Sequence, residues 1–302
     1  MNVFVAGGTG TIGVPLVRAL VAAGHQVTAL TRSPDKASAV RALGARPAVA
    51  DALDAGALAR VVLEARPTHV VHQLTALPRD GITRAEQLAP TNRLRAEGTT
   101  HLLEAAIRAG AARFLAGSFA PLLAVPPDAP RLVREAVDAV GSMEAQVLEA
   151  TRRGLIEGVV LRYGLFYGPG NPATERLVAL VRRRRMPVVR GDQGLLPWIH
   201  LDDAVAATVA ALGAAPPGRV YDIVDDQAVS ISEMVREIAR QAGAPDPWAV
   251  PAWLPRLVSP YMAGFFSMRL PLSNEKAAAD FGWRPRYRTW REGVSQTVLQ
   301  AA

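Results

Sequence analysis

The sequence predicts an α/β fold: a doubly wound parallel sheet with helices on both faces, followed by a smaller C-terminal lobe. Three observations predict it. Short apolar runs alternate with longer stretches of helical periodicity up to about residue 168. Glycines close several of the helical stretches, as at Gly24 and Gly110. Beyond residue 168 the alternation fades and Pro and Gly become frequent.

The elements follow in order. VFVAG (3–7) is an apolar run of strand length, and IGVPLVRALVAAG (12–24) has helical spacing. HQVTALTR (25–32) is a second strand, helical residues 34–44 lead to a third in ARPAVADAL, and helical residues 54–65 lead to a fourth in THVVHQLTA. A long helix spans about 84–109, ARFLAGS (112–118) is a fifth strand, a helix covers about 129–153, and EGVVLRYGLFYGPG (157–170) is a sixth strand. A helix between successive strands requires parallel pairing. Later helical pieces lie near 173–185, 202–213, 230–243 and 273–281, and GRVYDIVDD (218–226) reads as one more strand.

Composition bounds the function. Half of the 302 residues are hydrophobic, enough for a sizeable core, and the absence of cysteine excludes thiol chemistry. The start, MNVFVAGG, has no leader pattern and no run reaches membrane-span length, so a cytoplasmic protein with no membrane span is expected. The net charge of +7 is spread along the chain, and its one dense run, Arg182 to Arg185, suits a helix C-terminus better than nucleic acid. No His or carboxylate cluster has metal-ligand spacing, so no metal is expected.

The chemistry begins at AGGTGTIG. Gly7, Gly10 and Gly13 stand between the first strand and its helix, the context in which glycines let a pyrophosphate approach backbone amides at a helix N-terminus. Thr9, Thr11 and Ile12 fill the loop between them. The second strand ends Leu30-Thr31-Arg32-Ser33, without the acid that would hold a ribose 2′-hydroxyl; Arg32 is placed to pair with a 2′-phosphate. NADP(H) is therefore the expected cofactor. Asp51 could accept from the adenine amino group or cap the helix beginning near 54.

At this point the chain resembles the extended short-chain dehydrogenase/reductase family, of the NAD(P)-dependent epimerase/dehydratase type, over nearly its whole length. GGTGTIG is similar to that family's nucleotide loop, VADAL to its adenine segment, and VVHQLTA to the fourth-strand end lining the nicotinamide channel, which implies roles for Leu74 and Thr75. EGTTHLLEAA, RFLAGS, LRYGLFYGPG, WIHLDDAV and FGWRPRY resemble further motifs in the same order. The resemblance implies a Rossmann-like domain over 1–168 and a substrate lobe over 169–302, with segments of about 197–226 returning to the main sheet. It also implies a homodimer built on the helices near 84–109 and 129–153.

The departures bear on function. The family's Tyr-x-x-x-Lys pair belongs on the helix VREAVDAVGSMEAQVLEA (133–150), which contains neither residue. Arg95 stands where the resemblance expects Asn, as does Leu165, and LLPWIH lacks the Arg that would bind a diphosphate, so a nucleotide-sugar enzyme is not expected. Ser118, Tyr163 and Tyr167 remain as candidate proton donors, while His200 reads as an anchor of the lobe. Residues 247–272, with Trp248, Trp253, Leu257, Tyr261, Met262, Phe265, Phe266 and Met268, are strongly apolar and fit a core, a contact surface or a pocket wall. The expected function is NADPH-dependent reduction of a hydrophobic carbonyl or enone with a non-standard proton donor. The alternative is an NADP(H)-binding protein without redox turnover, a sensing regulator or a repurposed cyclase-like enzyme.

Overall fold

A computed structural model describes residues 1–78, 82, 84–258, 264 and 268–300. Seven parallel strands form the central sheet: β1 (Asn2–Ala6), β2 (Gln26–Thr31), β3 (Arg46–Val49), β4 (His69–His72), β5 (Arg113–Phe119), β6 (Glu157–Tyr163) and, arriving late in the chain, the strand Arg219–Ile223. That strand is β10, since β7 (Leu165–Tyr167), β8 (Val188–Val189) and β9 (Trp198–His200) precede it. The spatial order β10-β6-β5-β4-β1-β2-β3 reverses direction between β4 and β1. In such sheets a crevice opens there, outside the carboxyl ends of the strands.

Strand alternation divides the core in two. Val3, Val5, Leu115, Leu161 and Tyr163 face one side, under α1 (Gly13–Ala22) and α8 (Leu201–Ala214). Phe4, Ala6, Phe114, Ala116 and Val160 face the other. There they meet α3 (Ala55–Ala65), α5 (Thr99–Arg108) and the long α6 (Arg131–Arg152). The small α2 (Ala37–Ala42) joins β2 to β3. The helix expected over 84–109 is segmented: a 3-10 turn at Ala85–Leu88, α4 (Ala89–Arg93), a π-turn at Leu94–Gly98, then α5.

The sixth strand is not continuous over 157–170. It breaks at Gly164, where a Cβ would lie 2.7 Å from the Pro197 carbonyl oxygen, and resumes as β7 paired with β9 in a separate ladder. A third core gathers Tyr167, Trp198, Val178 of α7 (Pro172–Arg182), Ile238 of α9 (Ile231–Gln241), and Trp290 and Val294. Trp290–Gln300 is a helix that the periodicity analysis does not anticipate. It is α12, after α10 (Leu254–Val258) and α11 (Glu275–Phe281). β11 (Ala249–Val250) pairs with β8. In the apolar 247–272 segment Trp248 and Trp253 are 56% and 59% exposed; Tyr261, Met262, Phe265 and Phe266 lie outside the described residues. Among the described residues no helix is long and apolar enough to cross a membrane.

Arg113, at the start of β5, is nearly buried and closes the bottom of the sheet. It pairs with Glu157 (2.8 Å) and donates to the Ala211 and Leu212 carbonyls at the end of α8 (3.1 and 3.2 Å). The guanidinium thus satisfies helix-end carbonyls that would otherwise lack donors. Arg113→Met is expected to cost about 1.5–3 kcal/mol, the worth of charge-assisted hydrogen bonds. A shift of the urea midpoint checks it; an unchanged midpoint would refute the assignment.

Candidate active site

The crevice is built from the ends of β1, β4, β5 and β6. Gly7 follows β1 with φ +93°, where an L side chain is strained, and a Cβ on it would strike the Gln73 carbonyl. A Cβ on Gly13 would overlap the Gly7 carbonyl, so α1 starts close against the strand. Gly10 and Thr11 are exposed, Thr9 is half-buried and Ile12 is buried; the Gly10 amide donates to Gly7 O (3.0 Å), and no side chain caps α1. A glycine cradle at an uncapped helix N-terminus fits a dinucleotide pyrophosphate.

Around the cradle, Arg32 lies one residue past β2 with its side chain exposed. Asp51 is exposed and accepts from the Leu53 amide (2.9 Å), a local turn. The cap of α3 is Asp54, which accepts from the Ala57 amide (3.0 Å), so the capping role open to Asp51 belongs three residues later.

The loop after β4 is tightly held. Gln73 N donates to Ala6 O (2.8 Å), Leu74 N to His72 Nδ1 (3.2 Å) and Ala76 N to Thr91 Oγ1 (2.9 Å), while Thr75 is exposed at its tip. His72 is buried, and desolvation with the nearby Arg95 guanidinium pushes its pKa down to about 4. Its partners set one neutral tautomer. Thr99 spends its hydroxyl proton on Arg95 O (2.5 Å), so Nε2–H donates to Thr99 Oγ1 (2.9 Å) and Nδ1 accepts.

The structure separates the three candidate donors. Ser118, 4% exposed near the end of β5, donates to Glu144 Oε1 of α6 (2.5 Å). Glu144 in turn receives Arg162 through Nε (2.9 Å) and Nη2 (2.5 Å). Ser118, Arg162 and Asp222 are register partners across β5, β6 and β10, so they form one row facing α6. Burial first, then Glu144, raises the pKa of Asp222 against the opposing pull of Arg162. Tyr163 faces the other side of the sheet: Gln73 Nε2 donates to its hydroxyl (2.9 Å), which lies 2.7 Å from Thr208 Oγ1. Since Thr208 donates to Ala204 O, the phenol proton goes to Thr208, and burial pushes its pKa up to about 12. Tyr167 belongs to the lobe core, its ring edge-on to His200 at 5.3 Å. Burial and the carboxylates of Asp225, Asp203 and Glu292 raise its pKa far above the usual phenol value.

What stands over the crevice instead is apolar. Four and eight residues before Glu144 on α6 come Val140 and Ala136, on the same helix face. Both are buried with Leu88 and Leu122, and Phe119, the last residue of β5, packs against them. Sequence reasoning does not single out Phe119; its signal is the residue after Ser118 in AGSFAP.

His200 is fully buried and caps α8, accepting from Asp202 N at Nδ1 (3.2 Å), with burial lowering its pKa. Asp225, just past β10, is 2% exposed, and burial followed by neighbouring carboxylates pushes its pKa up to about 8. A folded-state value raised above the unfolded value of about 3.9 means that its contribution is present below about pH 4 and is lost as the pH rises toward about 8. Asp225→Asn should therefore leave stability near pH 4 little changed and raise the melting temperature above pH 8. Parallel pH profiles for the two proteins would disprove the linkage.

A glycine cradle at the switch point of a parallel sheet defines a dinucleotide-binding protein. Residues 7–176 match the NAD(P)H-binding family and residues 139–223 the NAD dependent epimerase/dehydratase family. A 3-diazoavenalumate denitrifying reductase of Streptomyces sp. is 39% identical over 98% of this chain and 100% of its own. The 4-hydroxy-2-methyl-3-oxo-4-farnesyl-3,4-dihydroquinoline-1-oxide ketoreductase of Stigmatella aurantiaca is 29% identical over 80% of this chain and 74% of its own. In structure, the UDP-glucose 4-epimerase of Thermus thermophilus, solved with NAD, superposes with a TM-score of 0.77 at 24% identity over 99% of this chain and 98% of that one. The chain belongs to the extended short-chain dehydrogenase/reductase family, in its NAD(P)-dependent epimerase/dehydratase branch.

Proposed function

We propose that the protein is an NADPH-dependent reductase that removes a diazo group from a small aromatic acid. One observation carries the reading: the hydroxyl protons of Ser118 and Tyr163 are directed into the protein and Tyr167 is buried in the lobe core, so none is offered to the crevice. Carbonyl reduction makes an alkoxide that needs a proton. An arene diazonium does not: its carbon–nitrogen bond breaks, dinitrogen leaves, and the carbon takes hydride, so the positive and negative charges cancel. The relative named a denitrifying reductase, similar over its whole length, supports the same substrate class.

In this reading residues 1–168 hold the cofactor and residues 169–302 enclose the substrate. The reduced nicotinamide supplies the hydride. Gly7, Thr9, Gly10, Thr11, Ile12 and Gly13 cradle the pyrophosphate, Arg32 meets the 2′-phosphate, Asp51 the adenine, and Leu74 and Thr75 line the nicotinamide end. The rigid loop after His72 orients it. Mixing protein, NADPH and an arenediazonium carboxylate should release one dinitrogen per NADPH consumed. A rate no faster than the protein-free mixture sinks the proposal.

Arg32 makes cofactor choice testable by itself. NADPH should bind about ten- to a hundred-fold more tightly than NADH, the worth of one charge-assisted phosphate contact. Arg32→Ala should erase the difference, and equal affinities in the wild type would contradict it.

A second reading, reduction of a hydrophobic carbonyl or enone with Ser118 as donor, is favoured by the ketoreductase relative and by the place of Ser118 near the end of β5. Ser118→Ala separates the two. It should cost about 10²–10⁴ in rate if Ser118 donates the proton, and leave diazo removal within a few-fold of wild type. Cofactor binding with no turnover of either substrate would support the non-redox alternative. For assembly, the proposal is a homodimer through the outer faces of α5 and α6, where Gly141 and Ala145 are exposed; light scattering at micromolar concentration checks it.

A further inference from the structure

We infer that Phe119, with Val140 and Ala136, is the specificity-determining centre of the site, and that it selects hydride acceptors whose positive charge is cancelled in the reaction. The inference deepens the proposed function and rests on that reading of the crevice.

The placement is geometric. Phe119 ends β5 at the carboxyl edge of the sheet, beside the point where strand order reverses. α6 runs antiparallel to the strands it covers, so its earlier residues lie toward that edge. Glu144 is level with Ser118, which it touches. At about 1.5 Å per residue, Val140 and Ala136 stand roughly 6 and 12 Å further along the axis toward that edge, where both are buried with Leu88 and Leu122 and back the Phe119 ring. Phe119 is only partly buried at this edge. Leu77, beyond β4, and Leu123, beyond β5, are exposed on the same edge. Of the polar side chains at the ends of β4 and β5, Ser118 turns toward Glu144 and Gln73 toward Tyr163, and Thr75 is exposed further out at the loop tip.

Such a centre distinguishes reactions by charge. Hydride added to a neutral carbonyl creates an oxyanion, which an apolar wall without donors does not stabilise. Hydride added to a cation leaves a neutral product. Moving the cation out of water raises the energy of the ground state more than that of a transition state in which the charge is already fading. A wall of Phe119, Val140 and Ala136, none of which handles protons, is therefore suited to the second class of reaction. It predicts a KM penalty for the cation together with a high kcat.

The test compares wild type, Phe119→Leu and Phe119→Ser on an arenediazonium carboxylate and on the aryl ketone of the same ring, in H2O and D2O. Wild type should reduce the cation with no slowing in D2O and reduce the ketone poorly. Phe119→Leu, still apolar, should keep that preference, and Phe119→Ser should shift it at least ten-fold toward the ketone. A wild type that reduces the ketone as well as the cation overturns the inference and leaves the reductase reading standing. A binding pair reports without turnover: with oxidised cofactor present, an aryl tert-butyl ligand should bind more tightly than its trimethylammonium isostere, and Phe119→Ser should narrow the gap. If neither substrate is reduced, the proposed function falls and the binding pair alone decides. A narrowed gap supports the centre, and equal binding of the two ligands in the wild type overturns it.

Discussion

A carboxylate placed between two strands and a helix must be paired, because leaving a charge unmatched in that environment costs several kcal/mol. Glu144 meets this requirement with both guanidinium contacts from Arg162 and the hydroxyl of Ser118. Much of the site follows from it. The pairing sets the rotation of α6 and ties the helix to β5 and β6 together. It turns Ser118 inward. Because the helix face is then fixed, Val140 and Ala136 have to stand over the crevice, and Phe119 has a wall to pack against. The row beneath, with Asp222 in register beside Arg162, completes a polar layer under the apolar one.

The two relatives named as reductases frame the chemistry from opposite sides. A ketone and a diazo compound both accept hydride but differ in where charge ends up. In this family of folds the cofactor cradle is indifferent to that distinction. Similarity of the whole chain therefore says more about cofactor than about substrate.

Much of the fold was legible in the sequence because its signals are local. The alternation of apolar runs and helical stretches marks every strand of the main sheet, and Gly7, Gly10 and Gly13 mark the turn between β1 and α1. Signals that depend on distant partners were not legible. The break at Gly164 exists because Pro197 approaches its backbone, which no window around 157–170 contains. Asp51 and Asp54 carry equivalent capping chemistry, and only the start of α3 at Ala55 chooses between them. α12 has few apolar positions and was passed over, yet Trp290 is among the most deeply buried side chains. For the site, the absence of Tyr and Lys from residues 133–150 is plain in the sequence. The directions of the Ser118 and Tyr163 protons are not, since they are set by Glu144, Thr208 and Gln73, which lie 26, 45 and 90 residues away.

α12 also bears on how the chain comes to be folded in the cell. Gly293 presses against Tyr167 and His200, and Trp290 and Val294 fill the third core, so residues 290–298 are translated after nearly everything they pack on. β10, too, emerges more than fifty residues after its neighbour β6. While the ribosome is still at work, the strands from β1 to β6 can assemble as they emerge, but the outer edge of β6 stays unpaired and the lobe stays open. Such an edge is an invitation to wrong partners. Closure of the lobe is thus a late event in biosynthesis, and a nascent chain paused before α12 would display the glycine cradle while the third core is still unfilled.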